Sequence, residues 1–372
     1  MARLPIIDCD SHVEECEATF KHLEKRYWDR RPLHVDLHGI PQNATQDSYW
    51  LIDGHVHPRP VGQGATFGGS PPSSTLGRSK PFGLGSQTLD DVPARVADMD
   101  RFGIDVSLIY PTLFLTHLTE DVRYEAALMR SYNTWLAQRC AEASDRLKFG
   151  ALLPVRSPDD AVAEIKRAKE LGAAALYTMG TAGEKLLDHE SLDPVWEEAV
   201  RQNLPVAVHV GWSHPGLMAS CNDCYAAFGL SFTFPVLMGF FSMTGGGVLD
   251  RHPGLRVAFL EAGGDWLPYM LDRLDRYHFV VREKFGRPVS KQKPSAYLKT
   301  GHIYVSVEGD EPMVPKTLEL VGEDYVMASA DIPHAEARDN HLAEITERQD
   351  IAPHVKEKIL THNPARFYGM KI

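Results

Sequence analysis

Asp10, His12, His209, Glu261 and Asp331 are side chains of the kinds that hold divalent metal ions, and each closes a stretch rich in apolar residues. Asp10 and His12 follow Ile6 and Ile7, so they read as the polar end of a buried strand. Side chains two apart on a strand point to one face, which brings this carboxylate and this imidazole to a common point. Oxygen and nitrogen ligands on rigid backbone suit zinc, manganese or iron. Taken singly, His209 reads as a satisfied core histidine. Repetition of the pattern changes that reading, because buried charges are rare unless paired or metal-bound. The set therefore predicts one shared metal site.

Such convergence needs strands whose ends meet. Apolar runs at 6–12, 105–112, 149–155, 174–180, 205–211, 256–262, 302–309 and 325–332 read as strands. Helical spacing fills the gaps at 90–102, 121–143, 158–171, 191–202, about 226–250 and 265–284, and near 338–348 and 353–369. Near-continuous apolar strands are buried on both faces, as in a parallel sheet. Eight of them alternating with helices predict an α/β fold, a single (β/α)8 TIM-type barrel over 1–372, with a long insertion at 13–90 after strand one. No G-x-G-x-x-G or Walker-type loop follows a strand, which removes the main support for nucleotide binding. Residues 59–87 are rich in Gly, Pro and Ser and read as a functional loop at the barrel mouth.

The chain has 372 residues and a formal charge of −11, with no Lys/Arg run, so no nucleic-acid surface is expected. Apolar runs look too short to span a membrane, and the N-terminus lacks a charged region leading into an apolar one. A cytoplasmic protein without membrane contact is the expectation. Five cysteines form a sparse, odd set that suits a reducing compartment; Cys221 and Cys224 read as loop thiols. Trp28, Tyr49, Trp50, Leu51, Phe67 and Phe82 in the insertion exceed what a solvated loop needs. They predict partial cover over the mouth and a homo- or hetero-oligomer.

Asp10-x-His12, the stretch 206–211 around His209 and Ser329-Ala330-Asp331-Ile332-Pro333-His334 together resemble the amidohydrolase-related branch of the amidohydrolase superfamily. That branch includes decarboxylases similar to aminocarboxymuconate-semialdehyde and γ-resorcylate decarboxylases. Residues 95–111, Tyr132-Asn133 with Trp135, and 362–366 extend the resemblance over nearly the whole chain. It implies that Asp10, His12, His209 and Asp331 hold the metal, zinc, manganese or iron. It also departs from the pattern: Glu261 stands where those decarboxylases carry a catalytic histidine at the end of strand six.

The leading expectation is a metal-dependent enzyme that decarboxylates or hydrolyses a small organic acid, with Asp331 and Glu261 as catalytic residues. Arg59 is the candidate for gripping the substrate's carboxylate. Glu261, His57, Glu15 and Glu14 are candidates for binding a second ion. Two ions would suit a dinuclear iron or manganese monooxygenase, which needs an electron-donor partner. The third alternative is an idle structural subunit of a hetero-oligomer.

Overall fold

The computed structural model describes residues 3–37, 47–334 and 341–372. Eight parallel strands follow one another around a nearly closed barrel. They are β1 (Ile7–Val13), β2 (Val106–Pro111), β3 (Leu147–Leu152), β4 (Ala175–Met179), β5 (Val206–His209), β6 (Val257–Leu260), β7 (Ile303–Val307) and β8 (Val326–Ala328). All eight lie where apolar runs predict strands. Seven of the eight are shorter than those runs, while β1 matches its run in length and reaches Val13.

Between β8 and β1 the seam is closed by fewer contacts, all near the carboxyl ends. The His12 amide donates to the Ile332 carbonyl at 2.6 Å, and the Asp331 amide to the Asp10 carbonyl at 3.0 Å. Asp8 adds a side-chain link, accepting from the Ala330 amide at 2.9 Å, the Asp10 amide at 3.2 Å and the Ser107 hydroxyl at 3.1 Å. Arg95, on the helix Val92–Phe102, is 1% exposed and crosses the same seam. Its guanidinium donates to the His12 carbonyl, to the Ile332 carbonyl at 3.4 Å and to the Ser86 carbonyl at 3.0 Å. Burial lowers its pKa to about 10, which leaves it charged at neutral pH.

Inside the barrel, aromatic rings fill the layer beneath the strand ends. Tyr110 and Tyr177 lie 6.1 and 5.5 Å from the His209 ring. Gly150 on β3 makes room for Tyr110, since a Cβ there would come within 2.2 Å of that ring. Asn133, on the helix Val122–Ala141, holds the end of β3 through both its amide atoms, 3.0 and 2.8 Å from Leu152.

The insertion after β1 carries a three-stranded antiparallel sheet (Leu33–Asp36, Ser48–Ile52, His55–His57) and the short helices Thr75–Ser79 and Leu84–Gln87. Trp50, Phe82 and Ala65 are buried within it. The helical expectation near 338–348 is met by His341–Glu347; residues 338–340 lie outside the described set.

One expectation needs correction. The helical stretch Cys224–Arg251 is long and apolar enough, by length and composition, to cross a membrane. Its residues carry no charge from 224 to 249, and interspersed Gly, Ser and Thr disguised the run. In the structure a π-helical turn at Ala227–Phe232 interrupts it, and Phe234–Met243 packs on β4, β5 and β6.

Arg95→Met keeps the apolar stem but leaves buried carbonyls at the seam without their donor. An unmatched buried acceptor costs about 1–3 kcal/mol. The variant is expected to lower the urea midpoint by the equivalent of about 3 kcal/mol or more, with the denaturant slope unchanged.

Candidate metal centre

Four strand ends bring five side chains together, Asp10 and His12 from β1, His209 from β5, Glu261 from β6 and Asp331 from β8, and the backbone is bent to allow it. The β1–β2 register slips between Asp8 and Ser11, a bulge that contains Asp10. Bulges re-aim side chains beside functional sites. Glu261, one residue past β6, and Asp331, three past β8, both have left-handed backbones, with φ of 61° and 51°. Non-glycine residues rarely adopt that conformation, and it clusters at functional sites. The Glu261 amide is fixed by the Ser306 hydroxyl at 2.9 Å.

The two central histidines present the same nitrogen inward. His12 Nδ1 lies 2.8 Å from the Pro111 carbonyl and His209 Nδ1 lies 3.0 Å from the Val210 carbonyl. A carbonyl can only accept, so both Nδ1 atoms carry hydrogen, and in the neutral rings both Nε2 atoms offer a lone pair. This is how metal-binding histidines are oriented. His12 Nε2 is 3.5 Å from Asp10 Oδ1, 3.4 Å from Glu261 Oε2 and 3.3 Å from Asp331 Oδ1. His209 Nε2 is 3.3 Å from Asp10 Oδ2 and 3.2 Å from Glu261 Oε2.

These atoms are buried, and Asp10 Oδ1 and Oδ2, His12 Nε2, His209 Nε2 and Glu261 Oε2 make no hydrogen bond. Asp10, His12, His209 and Glu261 offer ligand atoms within 4.8 Å of one another, as do His12, Glu261, Asp331 and His334. The two sets share His12 and Glu261, so they describe one pocket of ligand atoms. Buried polar atoms are ordinarily satisfied, and a cluster of carboxylate oxygens and imidazole lone pairs is the donor set of a divalent ion. The residues fit such an ion. Electrostatics agree: burial alone would lower the His209 pKa, but the Asp10 and Glu261 carboxylates raise it well above the ordinary value. Burial would likewise raise Glu261, and His12 and His209 hold it below the usual carboxylate range. Each group is shaped by its neighbours to favour opposite charge at the centre.

The remaining candidates lie elsewhere. Glu14 pairs with Lys80 and faces the cavity above the site. Glu15 accepts from the Leu113 amide at 2.7 Å and the Thr112 amide at 3.2 Å, tying the end of β1 to that of β2. Burial pushes its pKa up to about 8. His57 lines a second cavity with His55, Arg59, His117 and Glu120, and burial pushes its pKa down to about 4. Arg59 thus faces that cavity, away from the metal ligands. Cys221 is buried and Cys224 half-buried, both with free thiols.

His334 belongs to the site, although the sequence reading assigned it no role. Its ring stacks on His12 at 3.9 Å, its Nδ1 lies 2.7 Å from Asp331 Oδ1 and its Nε2 lies 3.0 Å from the Thr112 hydroxyl. It closes the stretch 329–334, three residues after Asp331. Above the ligands opens a cavity walled by Phe67, Trp212, Phe228 and Phe232. Apolar clefts with a few converging polar groups are where small organic molecules bind.

Residues 52–370 match the amidohydrolase family model, and the chain belongs to that family. Among curated proteins it is similar to γ-resorcylate decarboxylase of Rhodococcus jostii (strain RHA1), at 25% identity over 77% of this chain and 90% of that protein. It is also similar to 2-amino-3-carboxymuconate-6-semialdehyde decarboxylase of Dictyostelium discoideum, at 24% identity over 75% of this chain and 77% of that one. Solved structures agree on the fold. An amidohydrolase from Mycobacterium avium subsp. paratuberculosis K-10 superposes with a TM-score of 0.77 at 20% identity, each chain fully covered. A 5-carboxyvanillate decarboxylase from Novosphingobium aromaticivorans, with bound manganese and a nitrobenzoic acid, gives 0.68 at 23% identity over 77% of this chain and 83% of that one. These relatives lend no support to the oxygenase alternative.

His12→Ala removes a ligand whose orientation is fixed, and manganese affinity is expected to fall by roughly tenfold or more. His57→Ala, in its separate cavity, is expected to leave metal content unchanged. Mass-spectrometric metal analysis of the dialysed variants, beside circular dichroism, checks both.

Proposed function

We propose that this chain is a metal-dependent carboxy-lyase that releases carbon dioxide from a small aromatic acid. The observation that carries the proposal is the converging set Asp10, His12, His209, Glu261 and Asp331 beneath an aromatic-walled cavity. Decarboxylase relatives that match three quarters of the chain support it.

Asp10, His12, His209 and Asp331 would hold the ion, with Glu261 beside them. A divalent metal bound there supplies Lewis-acid polarisation of a substrate oxygen. The aromatic walls orient a flat substrate and keep bulk water from the reacting carbon. Loss of carbon dioxide then requires a proton at the vacated carbon.

Proton handling falls to the Asp331–His334 pair. Their 2.7 Å contact joins a carboxylate oxygen to an imidazole nitrogen, so a proton must lie between them. Thr112 donates to the Val13 carbonyl at 3.0 Å and contacts His334 Nε2 on its other side, which fixes the ring. Asp331 can pass that proton into the cavity and recover it through His334. Glu261, held ionised between two histidines, is an acceptor only and contributes charge to the centre.

The isotope test separates lyase from hydrolase. With manganese-loaded protein and 2,6-dihydroxybenzoate or 5-carboxyvanillate in D2O, the product is expected to carry one deuterium where carboxylate was. In H2-18O it is expected to gain no oxygen label. Asp331→Asn is expected to lower turnover by at least about 100-fold, the scale of a lost general acid–base group. No carbon dioxide from either acid, together with cleavage of an aryl ester or lactone probe that places one 18O in the freed acid, would instead establish hydrolysis.

A further inference from the structure

Above the metal centre sits a charged pair that the ligand set does not use. Glu14 continues β1 two residues beyond His12, on the same side of an extended chain and about 7 Å farther out. It contacts Lys80, the residue that caps the insertion's helix Thr75–Ser79. Both side chains are only 5% exposed. Both line the cavity whose floor includes Glu261 and His334.

Anchoring of the insertion is a poor explanation for this pair. Buried ion pairs often add no more stability than apolar residues of similar volume. The junction is already tied by the Glu14 amide to the Gln87 carbonyl at 2.9 Å, and by the Gln87 side chain to the Gly77 and Phe82 carbonyls at 2.9 and 2.8 Å. Lys80 is also underused. An ammonium has three N–H donors, and Glu14 is its one hydrogen-bond acceptor among the described residues. Two donors therefore remain for the cavity. Among the described residues that line this cavity, Lys80 is the one Lys or Arg.

We propose that Lys80 is the receptor for a second anionic group of the substrate, which Glu14 represents while the cavity holds none. The substrate class is then a flat acid with two anionic groups, one at the metal end and one at Lys80, its body lying against the wall that Trp212 and Phe228 form. This deepens the reading above, on which it rests for the acid at the metal end. Specificity is set by Lys80, from the insertion, and the barrel strands supply the metal centre. Glu14 competes for the ammonium, so removing its charge strengthens binding of the second group. A strap would respond in the opposite sense.

The test uses the manganese-loaded full chain and three probes: benzoate, isophthalate and terephthalate. The last two place their carboxylates at different spans. Binding is followed by tryptophan fluorescence, with calorimetry as a second measurement. At least one dicarboxylate is expected to bind about tenfold or more tighter than benzoate, the scale of one charge-assisted hydrogen bond. Lys80→Met is expected to remove that advantage while benzoate binding changes less than about twofold, and Glu14→Gln to tighten the dicarboxylate about threefold or more. If Lys80→Met folds poorly, the Glu14→Gln/Lys80→Met double variant, which leaves no buried carboxylate unpaired, gives the same reading. The proposal is overturned if no dicarboxylate binds better than benzoate, if Lys80→Met weakens both classes alike, or if Glu14→Gln weakens the dicarboxylate. Discrimination without any carbon dioxide release would remove the lyase reading and leave Lys80 as the receptor. Turnover without discrimination would do the reverse.

Discussion

Three carboxylates and two imidazole lone pairs are forced together at the centre of this barrel, and the rest of the structure answers to that crowding. Two like charges ~4 Å apart repel by roughly 4 kcal/mol at the effective dielectric of a protein. Asp10, Glu261 and Asp331 all come within 3.5 Å of His12 Nε2, in a place almost closed to water. Such a set is tolerable only around positive charge. The raised His209 and the lowered Glu261 pKa values express the same demand. A divalent ion meets it while leaving both imidazoles neutral, as ligands must be.

Holding mutually repelling groups in place requires stiffness behind them. The seam between β8 and β1 carries two of the contributing strand ends, and it is there that Arg95 and Asp8 are spent. Asp8 is buried, accepts from three backbone or hydroxyl donors besides Ser11, and burial lifts its pKa to about 6. Arg95 collects carbonyls from His12 and Ile332 in one guanidinium. Farther down, Tyr110 meets Tyr368 at 2.9 Å, and Tyr368 donates to the Cys9 carbonyl at 2.7 Å. The terminal helical region thus braces β1 from beneath. Deep polar clasps of this kind fix a unique geometry, and the left-handed residues at the mouth need that support.

What could be read from the sequence follows the same physics. Strand-borne ligands were legible because burial on both faces writes a continuous apolar run, and a polar residue ending such a run stands out. Helices were legible from their period. Groups brought in by tertiary packing left no such trace. Lys80 lies 66 residues from Glu14 in a segment that looked irregular, and their contact depends on how the insertion folds back. Nothing in the spacing set Trp212 and Phe228 apart as walls of a cavity. His57 shows the converse: a histidine in a proline-flanked turn had ligand chemistry, yet the antiparallel pairing of Trp50 with His57 delivers it to another cavity. The bulge at Asp10 was also invisible, since periodicity alone predicts an unbroken strand.

Glu261 ties these strands of argument together. A histidine at the end of β6 could serve as a proton donor near neutral pH. A carboxylate pinned between His12 and His209 stays ionised and adds one more negative charge to the centre. The carboxylate therefore strengthens the demand for a cation and offers no donor on that side of the cavity. On the proposed reading the proton comes from across the site, where His334 Nδ1 lies 2.7 Å from Asp331 Oδ1. The left-handed turn at Glu261, fixed by Ser306, keeps the carboxylate aimed at both imidazoles instead of letting it swing outward. On the proposed reading, the end of β6 supplies charge to the centre and the end of β8 supplies the proton.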